Sequence, residues 1–123
     1  MNIESYCEYC LSKIAVTEHF PFDNDTLVFK VGGKMFALSS LKSWENGTPS
    51  VNLKCDPEVA EELRANYNAI VPGFHMSKTH WNTVAINDDV SDKMLREMID
   101  DSYNLIIKSL TKKLQSEIGA TEN

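Results

Sequence analysis

Residues 72–84, PGFHMSKTHWNTV, bring two histidines, a lysine and a tryptophan together within a few positions. His75 and His80 are five residues apart, with no carboxylate between them. The zinc-protease motif instead places two histidines four apart on a helix, with a glutamate beside the first. Imidazoles that bond the backbone of their own loop explain this pair without a metal. We therefore predict neither a metal site nor catalytic residues here.

Cys7 and Cys10 have the C-x-x-C spacing of redox and metal sites. In redox proteins this motif begins a helix that follows a strand, where the helix dipole lowers the pKa of a thiol. Here both cysteines lie on the apolar stripe of a predicted helix, and no strand precedes it. A zinc site would need two more ligands, which Cys55 and a histidine could supply although no spacing indicates it. We predict reduced, mostly buried thiols and no cofactor.

A basic surface is the third candidate site. Residues 27–54 contain four lysines and one glutamate, a local charge of +3 in a chain whose net charge is −6. Trp81 has two interpretations. If Val84 and Ile86 face the core, strand parity places Trp81 on the opposite face beside lysines, where it could stack on a base. Alternatively, Trp81 is a large core residue at a strand end.

The first elements that would position these residues are a helix and a hairpin. An apolar stripe over residues 3–15, with Asn2 as N-cap, predicts the helix. Two glycines between LVFKV (27–31) and KMFAL (34–38) predict the β-hairpin. A two-residue turn would pair residues on the core face as follows: Val31 with Lys34, Phe29 with Phe36, and Leu27 with Leu38. The opposite face would then carry Val28, Lys30, Met35 and Ala37.

The rest of the chain alternates turn signals with short apolar runs. SWENGTPS is predicted to be a loop, and Pro72-Gly73 a turn. The predicted elements are a third strand VNLKC (51–55), a helix that begins at Asp56-Pro57, a fourth strand WNTVAI (81–86), and a C-terminal helix whose apolar stripe runs from Met94 to Leu114.

This order, α-β-β-β-α-β-α, predicts an α+β two-layer sandwich. An antiparallel sheet would carry helices on one face. Its open face would carry Lys30, Met35, Asn52 and Lys54. The chain of 123 residues suits a single domain, which we place at 1–118, with a frayed tail at 119–123.

Composition bears on where the protein is located and on which partners it can bind. No apolar run approaches the ~20 residues that cross a bilayer, and the N-terminus lacks the basic and apolar segments of a signal peptide. Three cysteines cannot form a complete disulfide framework. We therefore expect a cytoplasmic protein with no membrane partner. An acidic pI of about 5.0 argues against a dedicated nucleic-acid binder but permits a locally basic surface.

The ordered segments of the chain resemble the MmcQ/YjbR family of small bacterial proteins. The resemblance covers nearly the whole chain, and this sequence departs from the family mainly by being acidic at both ends. It rests on EHFPFD (18–23), LVFKVGGKMFAL (27–38), VNLKCDPE (51–58), PGFHMSKTHWNTV (72–84) and SYNLIIKSL (102–110). The resemblance implies a CyaY-like, double-wing fold, for which DNA binding is suggested by analogy.

These observations together predict a non-catalytic binding module. The favoured ligand is DNA or single-stranded nucleic acid on the open sheet face, and the alternative is a protein partner on the same face. The predicted binding residues are Lys30, Lys34, Lys54, Lys78, His80 and Trp81. The oligomeric state does not follow from the sequence.

Overall fold

The computed structural model describes residues 1–119. Within them the chain forms six strands and five helices. In chain order these are α1 (Ile3–Leu11), β1 (Thr17–His19), β2 (Thr26–Val31), β3 (Lys34–Ser40), α2 (Leu41–Glu45), β4 (Ser50–Lys54), α3 (Pro57–Asn66), β5 (Ile70–Pro72), β6 (Trp81–Ala85), α4 (Asp92–Ser109) and α5 (Lys112–Glu117).

The six strands form one antiparallel sheet in the order β1-β2-β3-β4-β6-β5. The main core lies on one face of it, and every helix contributes to that core, through Tyr6, Trp44, Leu63, Ile99 and Leu114 in chain order. The predicted α+β class is therefore confirmed, and the seven predicted elements occur in the predicted order. Four further elements, β1, α2, β5 and α5, were not predicted as separate elements.

Local signals set the helix starts as expected. Asn2 caps α1. Its Oδ1 accepts the Ser5 backbone N–H at 2.8 Å, and Ser5 Oγ in turn accepts the backbone N–H of Asn2. Asp56 caps α3 ahead of Pro57, and its carboxylate accepts the backbone N–H of Glu58 at 3.1 Å. Each cap satisfies N–H groups that the first helical turn leaves unbonded.

The β2–β3 hairpin turns at Gly32-Gly33, both with positive φ, but its register differs from the prediction. Val31 pairs with Lys34 as expected. A bulge then makes Phe36 an extra residue, so that Phe29 pairs with Ala37 instead. A bulge shifts every later residue by one position and so reverses its face. Phe36 and Ala37 both enter the core, and the predicted Phe29–Phe36 pair is wrong.

The same shift moves Leu38 to the open face, where it pairs with Val28. The predicted pairing of Leu38 with Leu27 in the core is therefore wrong, as is the exposure of Ala37 on the open face. Ser39 takes the position opposite Leu27, and its hydroxyl donates to the Ser50 carbonyl at 2.6 Å. That bond allows a hydroxyl to be buried on the core side.

The C-terminal helix is also divided, although the apolar stripe predicted one continuous helix. Leu110 adopts an extended conformation after α4, and the Thr111 side chain then caps α5 by accepting the Leu114 N–H. The tail predicted at 119–123 lies, beyond Gly119, outside the described residues. Among residues 1–119, no helix is long and apolar enough to cross a membrane.

Candidate functional site

A row of six side chains crosses the open face of the sheet, the face opposite the main core. Strand pairing links them in the order His19, Val28, Leu38, Asn52, Thr83 and Val71. Lys30 pairs with Met35 and Lys54 pairs with Trp81 in neighbouring rows of this face. Lys30, Met35, Asn52 and Lys54 therefore lie where the sequence placed them.

Trp81 lies on the open face but is not available for stacking. It packs with Val28 and Leu38 in a second, smaller apolar cluster, and only 8% of its surface is exposed. Met76, from the loop that precedes β6, packs against this cluster. The expectation that Trp81 offers a platform to a base is therefore wrong, because residues 73–80 fold back over the sheet and cover it.

The covering loop begins at Gly73, where a predicted turn is replaced by continued strand pairing. The Gly73 N–H donates to the Trp81 carbonyl at 2.8 Å. A Cβ at this position would lie 2.8 Å from the Trp81 Cβ, so that only glycine fits without a shift. The requirement is steric: the φ of Gly73 is not positive.

Polar side chains of the sheet hold the loop in place. Asn52 Nδ2 donates to the Phe74 carbonyl at 3.1 Å, and the Phe74 N–H donates to Thr83 Oγ1 at 2.9 Å. Thr83 and Asn52 also bond each other. From the other side, Arg64 Nη2 donates to the carbonyls of Lys78 and Trp81. The loop is therefore fixed at both ends by hydrogen bonds.

An open groove of about 440 Å³ lies between this loop and residues 22–26. Its apolar lining is Phe22, Leu38, Phe74 and Met76; its polar lining includes Thr26, Ser40, Ser50, Asn52, Thr83, Asp23 and His75. Phe22 and Phe74 are each 63% exposed, and nearby Phe20 is 46% exposed. His75 has a φ of +58°, a conformation that non-glycine residues rarely adopt. The sequence analysis missed this groove, although phenylalanines within two residues of a proline in two polar loops were a usable signal.

Asp23 supplies the acidic group of the groove. Its carboxylate accepts the backbone N–H of Thr26 at 2.6 Å and of Asp25 at 2.9 Å. These bonds stabilise the charged form and lower the pKa of Asp23 below its usual value. Asp23 is therefore ionised at neutral pH, and it lies at the groove wall beside Phe22.

The six predicted binding residues do not form one patch. Lys30 and Lys54 are half-buried on the open face, whereas Lys34 follows the parity of Val31 and lies on the helix side, where its Nζ is 3.3 Å from Ser109 Oγ. The Lys78 ammonium donates to the Gly73 carbonyl at 3.2 Å, within its own loop. Exposed His80 accepts the Cys55 N–H through its carbonyl. The predicted pairing of Lys34 with Val31 is therefore confirmed, and the prediction that Lys34 contacts a ligand on the open face is wrong.

Lys34 instead joins a cluster that the sequence did not suggest. The C-terminal end of α4 and the start of α5 carry Lys108, Lys112 and Lys113, all exposed, and residues 102–116 contain no acid. Leu110 packs against Gly32, which brings this segment to the hairpin turn. We call Lys34, Lys108, Lys112 and Lys113 the hairpin-tip lysines. Across residues 1–119 the ion pairs are Met1–Asp92 and Lys13–Asp100, so none involves them.

The cysteines occupy a different part of the molecule. All three are free, Cys10 is buried, and Cys7 and Cys55 are half-buried. Burial, followed by the neighbouring Cys7, raises the pKa of Cys10 to about 12. Burial also raises the pKa of Cys7 and of Cys55. Raised pKa values keep these thiols protonated and weakly nucleophilic at neutral pH.

Comparison with known proteins gives the family. A sequence model of the YjbR family matches residues 11–105, and the chain belongs to that family. It is 40% identical over 99 residues to the uncharacterised protein YbdF of Escherichia coli O157:H7, covering 80% of this chain and 79% of that one. It is 31% identical over 113 residues to the uncharacterised protein YjbR of Escherichia coli K12, covering 92% and 93% of the two chains.

Two solved structures share the fold. A crystal structure of a Deinococcus radiodurans protein with a DUF419 domain superposes with a TM-score of 0.87 at 36% identity, over 96% of this chain and 88% of that one. A Pseudomonas syringae crystal structure gives a TM-score of 0.73 at 28% identity, over 85% and 98% of the two chains.

Proposed function

We propose that the protein is a non-catalytic binding module of the cytoplasm, and that its hairpin-tip lysines contact the phosphate backbone of nucleic acid. The proposal rests on the contact of Lys34 Nζ with Ser109 Oγ at 3.3 Å, which brings Lys34 to the segment that carries Lys108, Lys112 and Lys113 and that has no acid between residues 102 and 116. Lys30, one residue before the end of β2, extends this basic surface toward the open face. The net charge of −6 does not prevent such contacts, because distant charges are screened beyond about 10 Å at 0.1 M salt.

The chemistry of these residues favours contact with the backbone rather than with bases. The ammonium of lysine is a point charge, without the planar fork with which arginine contacts guanine. Trp81, the predicted stacking residue, is covered. Binding should therefore be independent of sequence and no weaker for a duplex than for a single strand, since the duplex has the higher charge density.

An anionic membrane offers the same charge, but residues 102–116 carry no exposed large apolar side chain that could insert. The exposed large apolar side chains among residues 1–119 are Leu11, Ile14, Phe20, Phe22, Val59, Val71 and Phe74. The raised thiol pKa values support the non-catalytic part of the proposal, since they leave no activated cysteine nucleophile among the described residues.

Fluorescence anisotropy with a labelled duplex of about 20 base pairs tests the proposal. Four phosphate contacts predict a slope of log affinity against log salt of about −3.6, and hence a loss of about 150-fold between 50 and 200 mM KCl. Each Lys→Gln substitution at the hairpin tip should reduce that slope by about 0.9. Lys42→Gln and Lys93→Gln change the charge equally at exposed positions of α2 and α4 away from the hairpin tip, and should leave the slope unchanged.

Two results would overturn the proposal. One is the absence of saturable binding at 50 mM KCl up to about 100 μM protein, which is the weak limit of non-specific binding even at physiological salt. The other is an unchanged affinity when all four hairpin-tip lysines are replaced. Binding to phosphatidylserine vesicles without binding to either oligonucleotide form would assign the surface to a membrane instead.

A further inference from the structure

We infer that the groove on the open face docks an extended segment of a partner protein, one that carries an aromatic or large aliphatic residue beside a lysine or arginine. This inference concerns a second surface and does not rest on nucleic-acid binding. Four observations carry it: exposed phenylalanines, a preformed wall, an ionised carboxylate, and a charge pattern that opposes self-association.

The phenylalanines are the first observation. Among residues 1–119 three phenylalanines expose a large part of their surface, namely Phe20, Phe22 and Phe74, and all three belong to the two loops at this groove. The other two, Phe29 and Phe36, are completely buried. Exposed aromatic side chains grouped at one concave site are typical of recognition surfaces, where aromatic residues supply much of the binding energy.

The groove is also preformed. Phe74 is held through its own backbone, which bonds Asn52 on one side and Thr83 on the other. The opposite wall is held by Asp23, whose carboxylate accepts two backbone N–H groups of its own loop. An occupant therefore does not have to order either wall, which reduces the entropic cost of binding.

Charge selects the class of occupant. Asp23 is ionised, and no lysine or arginine lines the groove. A phosphate-bearing ligand would be repelled by this carboxylate, whereas a cation would be attracted to it and to the face of Phe22. The floor around Leu38 and Met76 is apolar. The matching ligand places an apolar side chain on the floor and a positive charge at Asp23.

An extended peptide fits this arrangement better than a second copy of the chain. Hydroxyl groups such as that of Ser50 lie beside the apolar floor and can bond a peptide backbone. The groove is of small-ligand size, so it accepts one large side chain while the flanking residues stay outside. In a two-fold dimer through this face, each groove would meet its own copy, and the partner's groove, which no lysine or arginine lines, would bring a second Asp23 carboxylate rather than a cation to the interface.

Two-dimensional ¹H–¹⁵N NMR of the full chain provides the test, with acetyl-Gly-Lys-Phe-Lys-Gly-amide as probe. Expected are shifts confined to amides near the groove, such as those of Phe74 and Thr83, that saturate at about millimolar peptide or below. Phe74→Ala should weaken binding by about tenfold or more, as for a central aromatic contact. Leu11→Ala removes a comparably exposed apolar side chain from α1 and should have no effect.

Variants of the probe peptide test the apolar contact and the charge contact separately. Replacing its phenylalanine by alanine should abolish the shifts, and replacing its lysines by glutamates should weaken binding most in wild type and least in Asp23→Asn. Equal binding of the lysine and glutamate peptides would overturn the charge argument. The absence of groove shifts at about 5 mM peptide, or an affinity unaffected by Phe74→Ala, would overturn the site. Dimerisation abolished by Phe74→Ala would assign the groove to a second copy.

Discussion

Replacing Phe36 by alanine tests whether its ring is packed in the core, a position that it occupies in the bulged hairpin and would also occupy in a regular one. Phe36 is completely buried, and its ring meets that of Tyr103 edge-to-face, with centroids 5.4 Å apart and an interplanar angle of 83°. Loss of a buried phenylalanine costs about 3–5 kcal/mol through lost apolar burial and the cavity left behind. For a chain of this length the unfolding entropy is about 0.26 kcal/mol/K, so a loss of about 4 kcal/mol lowers Tm by about 15 °C.

Urea titration and thermal melts followed by circular dichroism would measure this loss. Phe22→Ala is the matched control, since that ring is 63% exposed and its removal should change stability by less than about 0.5 kcal/mol. Ala37→Asp discriminates between the registers. In the bulged hairpin it buries an unpaired carboxylate opposite Leu53 and should prevent folding, whereas a regular hairpin would place it on the open face. A loss below about 1 kcal/mol for Phe36→Ala would refute the burial of its ring, and such a loss for Ala37→Asp would refute the bulged register.

Three further predictions concern single positions. Gly73→Ala should cost about 1–3 kcal/mol in urea titration, because its Cβ would meet Trp81 at 2.8 Å; a neutral result would show that the loop moves freely. Cys10 should react with Ellman's reagent at pH 8 only as fast as the protein unfolds, since burial raises the pKa of this thiol to about 12; rapid labelling of the folded state would contradict this. The pKa of Asp23 is lowered, so its carboxylate stabilises the fold above the usual aspartate pKa and this contribution is lost as pH falls through the lowered value. The stability advantage of wild type over Asp23→Asn should therefore shrink below roughly pH 4, and a pH-independent difference would argue against it.

The features of the fold that were predicted from the sequence are determined by residues close to them along the chain. Asn2 and Asp56 cap helices because their side chains bond N–H groups two or three positions later. Gly32-Gly33 makes the hairpin turn because positive φ is available to glycine without strain. In each case the residue that determines the cap or the turn lies within a few residues of it. A short stretch of sequence is therefore enough to predict the feature.

The hairpin register shows where this reasoning fails. Alternation along KMFAL assigns Phe36 and Leu38 to the same face, as it must for any regular strand. The structure places Phe36 in the core and Leu38 on the opposite face, through a bulge that also buries Ala37. Phe36 meets Tyr103 on α4, a contact between segments far apart in sequence. The residues of the strand and their immediate neighbours contain no information about that contact. The alternation along the strand therefore cannot predict the bulge.

The candidate site was hidden for the same reason. Strand parity offered the open face as one of two interpretations of Trp81, and the structure places it there, but its burial depends on Met76 and on the return of residues 73–80 over the sheet. The groove exists only because two loops from different ends of the sequence, carrying Phe22 and Phe74, meet above β3 and β4. Likewise, Lys34 approaches the end of α4, next to Lys108, on the helix side of the sheet. A charge count over residues 27–54 cannot show this proximity.

The two proposed surfaces lie at opposite ends of β2 and should be occupied independently. The groove borders Thr26 at the start of β2, and the hairpin tip follows Val31 at its end. Five residue steps of about 3.3 Å separate these ends by about 17 Å, roughly twice the Debye length of about 8 Å in physiological salt. A saturating groove peptide should therefore change the Kd of the duplex oligonucleotide by less than about twofold in 150 mM KCl. Competition beyond that would mean that the peptide's lysines, or the nucleic acid itself, occupy both surfaces, and the division of the molecule into a basic end and a groove end would fail.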